Sequence, residues 1–150
     1  MTTLFDSVKA FMEEDDWPHQ QLEDRPILRT GFSSDDGQWA CYAHVREERE
    51  QVVFYSVFPF PIPAEKRLAV TEYITRANYG LLLGNFEMDL QDGDLRYKTS
   101  IDVEGAELTP ALVRSLLYAN VMTMSSYFPG LMNVLYSDIS PVEAIAKVEE

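Results

Sequence analysis

The sequence predicts an α+β fold with an antiparallel sheet, in the order α-β-β-β-α-β-β-α with a short extra C-terminal helix. Three observations predict it. Residues 27–33, 38–46 and 51–58 alternate apolar and polar side chains and are rich in β-branched and aromatic types. A second strand pair, Asn85 to Val103, follows a helical stripe instead of joining the first three strands directly. Helix-start signals stand at Thr3, Pro63, Thr109-Pro110 and Ser140-Pro141.

Residues 3–14 read as the first helix, capped by Thr3, with Leu4, Phe5, Val8, Phe11 and Met12 on one face. The run Glu13-Glu14-Asp15-Asp16 falls at its negative end, where carboxylates are unfavourable, and Trp17-Pro18 stops it. A variable polar stretch leads to the three strands, whose turns are signalled by Asp36-Gly37 and Glu48-Arg49. Alternation turns Trp39, Cys41, Ala43, Val45, Val52, Phe54 and Phe58 toward the core. It leaves Tyr42, His44, Val53, Tyr55 and Val57 on the opposite face. Pro59, Pro61 and Pro63 lack the N–H that a ladder needs, so they connect strand to helix. Pro63 opens a helix to about Asn78 with a stripe of Val70, Tyr73, Ile74 and Ala77, and Gly80 is its expected terminator.

In the hairpin, Asp92-Gly93 reads as a two-residue type I′ loop. Leu90 then opposes Leu95, Met88 opposes Tyr97 and Phe86 opposes Thr99, while Asp89 meets Arg96 and Glu87 meets Lys98. Thr109-Pro110 opens a long helix expected over 109–128 and ending near Pro129-Gly130. Ser140-Pro141-Val142-Glu143 has the pattern of a capping box and starts the last helix.

The chain has 150 residues, with 12 Lys+Arg against 25 Asp+Glu and a formal net charge of −13, which predicts a single domain over residues 1–150. The negative excess is spread over both halves, so nucleic acid and anionic membranes are not expected partners. One cysteine excludes an internal disulfide and a thiolate metal cluster. The N-terminus shows no secretory pattern, and Arg114, Ser115, Asn120, Ser125 and Ser126 interrupt the most apolar stretch, so a cytoplasmic protein is expected.

Catalytic, cofactor and metal sites are not expected. His19 and His44 have no His or Cys partner at ligand spacing, and Cys41 and His44 point to opposite faces of a strand. The acidic turns lack the ligand ladder of a calcium loop, and Gly80 to Asn85 lacks the Lys-Ser/Thr of a phosphate loop. Two surfaces do look too apolar for solvent. On the helix 109–128, apolar residues span about half the circumference. Either a second copy of the chain packs there, through Leu117, Tyr118, Asn120, Val121, Met122 and Met124, or residues 131–146 fold back over it. Asn120 falls on that apolar stripe, where a buried amide must find hydrogen bonds, either across a dimer or to a neighbouring backbone. The face carrying Tyr42, His44, Val53, Tyr55 and Val57 is either a docking platform or is covered by part of this chain.

One ordered set of residues spans almost the whole chain: Trp17; Gly37-Gln38-Trp39; the prolines at 59, 61 and 63 with Arg67; Asn78-Tyr79-Gly80; Gly84-Asn85-Phe86; Asp92-Gly93 with Arg96-Tyr97; and Tyr127 with Pro129-Gly130. That set resembles the YbjN family, in the variant seen in cyanobacteria. The resemblance implies a fold similar to type III secretion chaperones, which are small, acidic, dimeric proteins holding a client segment. It also implies a sensory-transduction regulator with no catalytic residues. The residues after Pro129 form an extension placed to cover surface that a chaperone leaves open.

The expected function is therefore that of a non-enzymatic, chaperone-like homodimer without cofactors, binding an unidentified protein client or regulator through Tyr42, His44, Val53, Tyr55 and Val57. A small-molecule or signal sensor, with its ligand between sheet and helices, is the competing expectation.

Overall fold

The structure is a computed structural model and describes residues 2–150. Helix α1 (Leu4–Glu14) is followed by β1 (Gln20–Gln21), β2 (Ile27–Ser34), β3 (Gly37–Arg46) and β4 (Gln51–Val57). Then come α2 (Arg67–Asn78), β5 (Asn85–Met88), β6 (Leu95–Asp102), α3 (Pro110–Tyr136) and α4 (Pro141–Glu149). The strands form one antiparallel sheet in the order β1-β2-β3-β4-β6-β5. The α2 crossover carries the chain past β4 to the sheet edge, and β6 returns between β4 and β5.

Every core-facing residue expected on β3 and β4 is buried, with Cys41, Ala43, Val52 and Phe54 fully so. All four helices lie on that side. Trp17, at the end of α1, packs edge-on against Phe54, and Phe86 packs against Tyr97 and Tyr127. Thr3 caps α1 in a full capping box with Asp6, and Glu47 adds a second cap by accepting from the Phe5 N–H at 2.8 Å.

Three expectations about the elements are corrected. The hairpin is not closed by a two-residue turn. A type I′ turn needs positive φ at both central residues, and of Asp92 and Gly93 only Gly93 has it, at 80°. Residues 89–94 instead form a wider loop docked on the proline segment. Gly93 accepts from the Ile62 N–H at 2.9 Å, and the Arg67 guanidinium donates to the Leu90 and Gln91 carbonyls. The register moves by two residues, so Phe86 opposes Tyr97, Met88 opposes Leu95 and Glu87 opposes Arg96. A shift of two preserves the faces, and Phe86, Leu95, Tyr97 and Thr99 stay in the core while Leu90 ends up exposed.

Helix α3 does not stop at residue 128. It runs through Pro129 and Gly130 to Tyr136. Proline removes the N–H that would serve the Ser125 carbonyl. Gly130, lacking a Cβ, lets the Tyr73 ring approach, and the Tyr73 hydroxyl donates to the Tyr127 carbonyl at 2.8 Å. Gly80 does not terminate α2 by a left-handed turn, since its φ is not positive. The helix ends where the Asn78 side chain turns to the backbone of Phe86, accepting from its N–H and donating to its carbonyl. Strand β1, in the stretch read as variable and polar, pairs with Arg29 and Leu28.

Candidate functional site

The face of the sheet turned away from the helices is bare. Cross-strand partners in an antiparallel sheet point to the same side, so the pairing puts Arg29, Tyr42, Tyr55 and Lys98 in one row across β2, β3, β4 and β6. Beside it run Ile27, His44, Val53 and Ser100, and on the other flank Ala40, Val57, Arg96 and Glu87. Tyr42, His44, Val53, Tyr55 and Val57, the five residues expected on this face, are all brought together there and all half-buried. No helix covers them. Tyr42, His44, Tyr55 and Val57 line a shallow cleft of about 300 Å3 with Leu22, Arg25, Ile27 and Arg96.

The face is also basic, which composition alone conceals. Arg29, Arg46, Arg96 and Lys98 lie on it against the carboxylates of Glu87 and Asp102, and Arg25 stands at its rim in the loop that also carries Glu23 and Asp24. Glu87 accepts from Arg96 at 2.6 Å and from Lys98 at 3.1 Å. Burial opposes its ionisation, but those two cations hold its carboxyl below the ordinary value. The Arg96 guanidinium also lies 4.2 Å over the Tyr55 ring. Arg25 and Arg29 are exposed and make no ion pair among the described residues. Acidic groups gather elsewhere: Asp6, Glu14, Glu47, Glu48, Glu50 and Glu107 ring the cleft between α1 and the β3–β4 turn. Sequence reasoning placed Arg96 and Lys98 on the charged face of the hairpin but did not join that face to Tyr42 and Tyr55, because the pairing of β4 with β6 was not legible.

The long helix behaves differently from the expected dimer surface. Leu117, Asn120, Val121 and Met124 are fully buried within one chain, because α3 has the sheet on one side and α1, α2 and α4 around it. Of the six residues, only Met122 is exposed, at 55%, and Tyr118 is half-buried. Tyr118 donates to Asp15 at 2.5 Å, as does the Trp17 indole at 2.9 Å. These bonds hold the Asp15 carboxyl below its usual range and relieve the unfavourable acidic run at the end of α1.

Asn120 reaches the sheet instead of a second chain. Its amide donates to the carbonyls of Phe54 and Tyr97 at 2.9 and 3.1 Å and accepts from Ser56 at 2.6 Å. Burial pushes the Cys41 thiol up to about 12, which keeps it a neutral core group. His19 lies on the other side of the β2 strand end, its Nδ1 2.8 Å from the Trp17 carbonyl, and has no link to His44. No cluster of metal-ligating side chains forms among the described residues. The centre of the space between sheet and α3, where a sensor's ligand was the competing expectation, is filled by Trp39, Phe54, Tyr97, Leu117 and Met124, while a cleft stays open at its edge between β6 and the start of α3.

Apolar side chains also reach the surface away from the sheet face, and three of them gather at one cleft. Leu82, Leu83 and Leu112 border a charge-free cleft of about 410 Å3 with Ile101, Leu116 and Ala119. Leu82 is 95% exposed. The α4 extension packs on α2 and α3, on the helical side, and leaves the outer sheet face open.

A family model described as "Putative bacterial sensory transduction regulator" matches residues 5–132. The chain belongs to the YbjN family. The matched region stops within α3, so the helix end and α4 lie beyond it. The fold is similar to the crystal structure of YbjN, "a putative transcription regulator from E. coli", with a TM-score of 0.64 at 13% identity, covering 86% of this chain and 90% of that one. It is also similar to a chain of the ExsC–ExsE complex (TM-score 0.53, 14% identity, 85% of this chain and 92% of that). A chain of the HopA1–SchA chaperone–effector complex gives a TM-score of 0.52 at 15% identity, covering 84% of this chain and 94% of that one. No protein of curated function matches the sequence. The YbjN fold of this chain is thus similar to that of chains solved in these two complexes, one of them a chaperone–effector complex. No helix among its described residues is long and apolar enough to cross a membrane.

Proposed function

We propose that this YbjN-family chain is a non-enzymatic, chaperone-like regulatory protein that holds a client polypeptide segment on the outer face of its sheet. The observation that carries the reading is the uncovered face itself: Tyr42, His44, Val53, Tyr55 and Val57 form an aromatic and β-branched surface without a helical layer. An antiparallel sheet with one wet face normally presents polar residues there. Tyrosines with an apolar body and a polar tip suit a contact surface. Two of the similar folds were solved as complexes, one named as a chaperone with an effector, which supports a protein partner.

The working unit in this reading is a homodimer. Its contact is the charge-free surface of Leu82, Leu83 and Leu112, since two chains of net charge −13 repel wherever their charged surfaces meet. Leu117, Asn120, Val121 and Met124 on α3 are buried within one chain and are not available for it. Native mass spectrometry of the protein isolated gently from its own cells tests both parts. The expected species is a dimer carrying a second polypeptide, absent when Tyr55→Asp and Val57→Asp are combined. A bare monomer contradicts the dimer, and equal client recovery by the folded double variant contradicts the face.

A further inference from the structure

We infer that the segment held on the sheet face is acidic, with the pattern carboxylate-x-aromatic-x-carboxylate, and that it lies across the strands. The inference rests on the reading of this face as the client surface and adds the chemistry of the client. Its first support is charge. The outward face of the paired strands carries four of the chain's 12 basic residues, Arg29, Arg46, Arg96 and Lys98, and two of its 25 acidic ones, Glu87 and Asp102. A protein of net charge −13 that concentrates cations around a tyrosine pair has a surface complementary to anions. Arg25 and Arg29 reach solvent and make no ion pair among the described residues, which leaves them open to a ligand carboxylate.

The second support is spacing. Arg29, Tyr42, Tyr55 and Lys98 stand in one row on four adjacent strands. With strands about 4.8 Å apart, the row from Arg29 to Lys98 spans about 14 Å. An extended peptide advances about 3.4 Å per residue, so side chains at positions one, three and five point the same way and also span about 14 Å. An aromatic residue at the central position lies over Tyr42 and Tyr55, beside the cleft of about 300 Å3, while the flanking carboxylates meet Arg29 and Lys98. Lys98 shares Glu87 with Arg96, leaving two cations against one carboxylate at that end. A long polyanion such as a nucleic acid meets the acidic remainder of the surface, which favours a short acidic patch in a polypeptide.

Fluorescence anisotropy of the full chain at low salt tests this with the labelled peptide Ser-Glu-Ser-Phe-Ser-Glu-Ser, its Gln and Lys counterparts, and a decauridine. The Glu peptide is expected to bind at least about tenfold tighter than the Gln peptide, with no binding of the Lys peptide. Arg29→Glu and Lys98→Glu each reduce its affinity about tenfold or more and Arg29→Gln by less; both Arg29 variants retain the wild-type melting curve, whereas Lys98→Glu melts somewhat lower because it faces Glu87. Equal binding of Glu and Gln peptides, both lost in the Tyr55→Asp/Val57→Asp variant, overturns the acidic chemistry and leaves the face as the client surface. Binding of the Glu peptide that survives that variant overturns the face as well. Failure of the Glu peptide to bind at about 1 mM, or tighter binding of decauridine, overturns the inference.

Discussion

The amide oxygen of Asn120 on α3 accepts a hydrogen bond from the hydroxyl of Ser56 on β4 at 2.6 Å. Ser56 in turn accepts from the Trp39 indole at 2.9 Å, and the Asn120 amide nitrogen donates into β4 and β6. A single polar side chain thus ties the longest helix to β4 and β6, whose other side belongs to the candidate site. No buried polar side-chain atom is left without a partner among the described residues.

Asn120→Ala removes the bonds to Ser56, Phe54, Tyr97 and Thr99 and leaves a small cavity, and it should cost about 2–3 kcal/mol of stability. Asn120→Asp should cost more, because a carboxylate would face the carbonyls of Phe54 and Tyr97. Urea unfolding checks both: the midpoint falls in that order with an unchanged slope.

Gly130 and Tyr73 form a second contact that reads as a unit. A Cβ at Gly130 falls 2.0 Å from the Tyr73 hydroxyl. Gly130→Ala should therefore destabilise by about 1–3 kcal/mol, and Tyr73→Phe by about 1 kcal/mol for the lost bond to Tyr127. Combined, they should cost less than their sum, because Tyr73→Phe removes the atom nearest the new methyl. A double-mutant cycle by urea unfolding measures the difference.

Gly93→Ala should destabilise while Gly80→Ala should not. At Gly93 the φ is 80° and a Cβ would sit 2.2 Å from the Ile62 carbonyl oxygen, whereas Gly80 has nothing within 4 Å. Thermal melts of the two variants should separate by several degrees.

The Glu87 carboxyl is held below its ordinary value of 4.5 although burial opposes ionisation, because Arg96 and Lys98 bond to it. A depressed folded-state value means stability that is present above pH 4.5 and lost as pH falls through the folded value. Glu87→Gln should flatten the fall of the urea midpoint in that acid window and leave the neutral region's slope unchanged.

Cys41, with its thiol pushed up to about 12 by burial, should resist iodoacetamide at pH 8 in the folded protein. It should react at once in urea, so its labelling rate reports opening of the core. Rapid labelling of the native protein would contradict the packing around Trp39 and Ser56.

Much of the fold was legible because it rests on local chemistry. The caps at Thr3, Thr109 and Ser140 and the alternation along β3 and β4 depend on neighbouring residues, and each stands where the pattern predicts. What was hidden depends on residues far apart in sequence. The wider hairpin loop needs Gly93 against Ile62, and the passage of α3 through Pro129 needs Tyr73 on α2. The burial of Leu117, Val121 and Met124 within one chain needs the sheet and the helices packed around α3, which its apolar wheel could not distinguish from a second chain. For the candidate site, the five expected residues were readable from alternation. The row that adds Arg29 and Lys98 to them required the strand order, which pairs β4 with β6.

Site-specific photocrosslinking tests the central claim most directly. Benzoylphenylalanine is placed in living cells either at Tyr55, on the outer sheet face, or at Tyr136, which is 66% exposed on the helical side. The account predicts a discrete crosslinked polypeptide from position 55, not from 136, that disappears when Val57→Asp is added. A crosslink from position 136 with none from position 55 would contradict it.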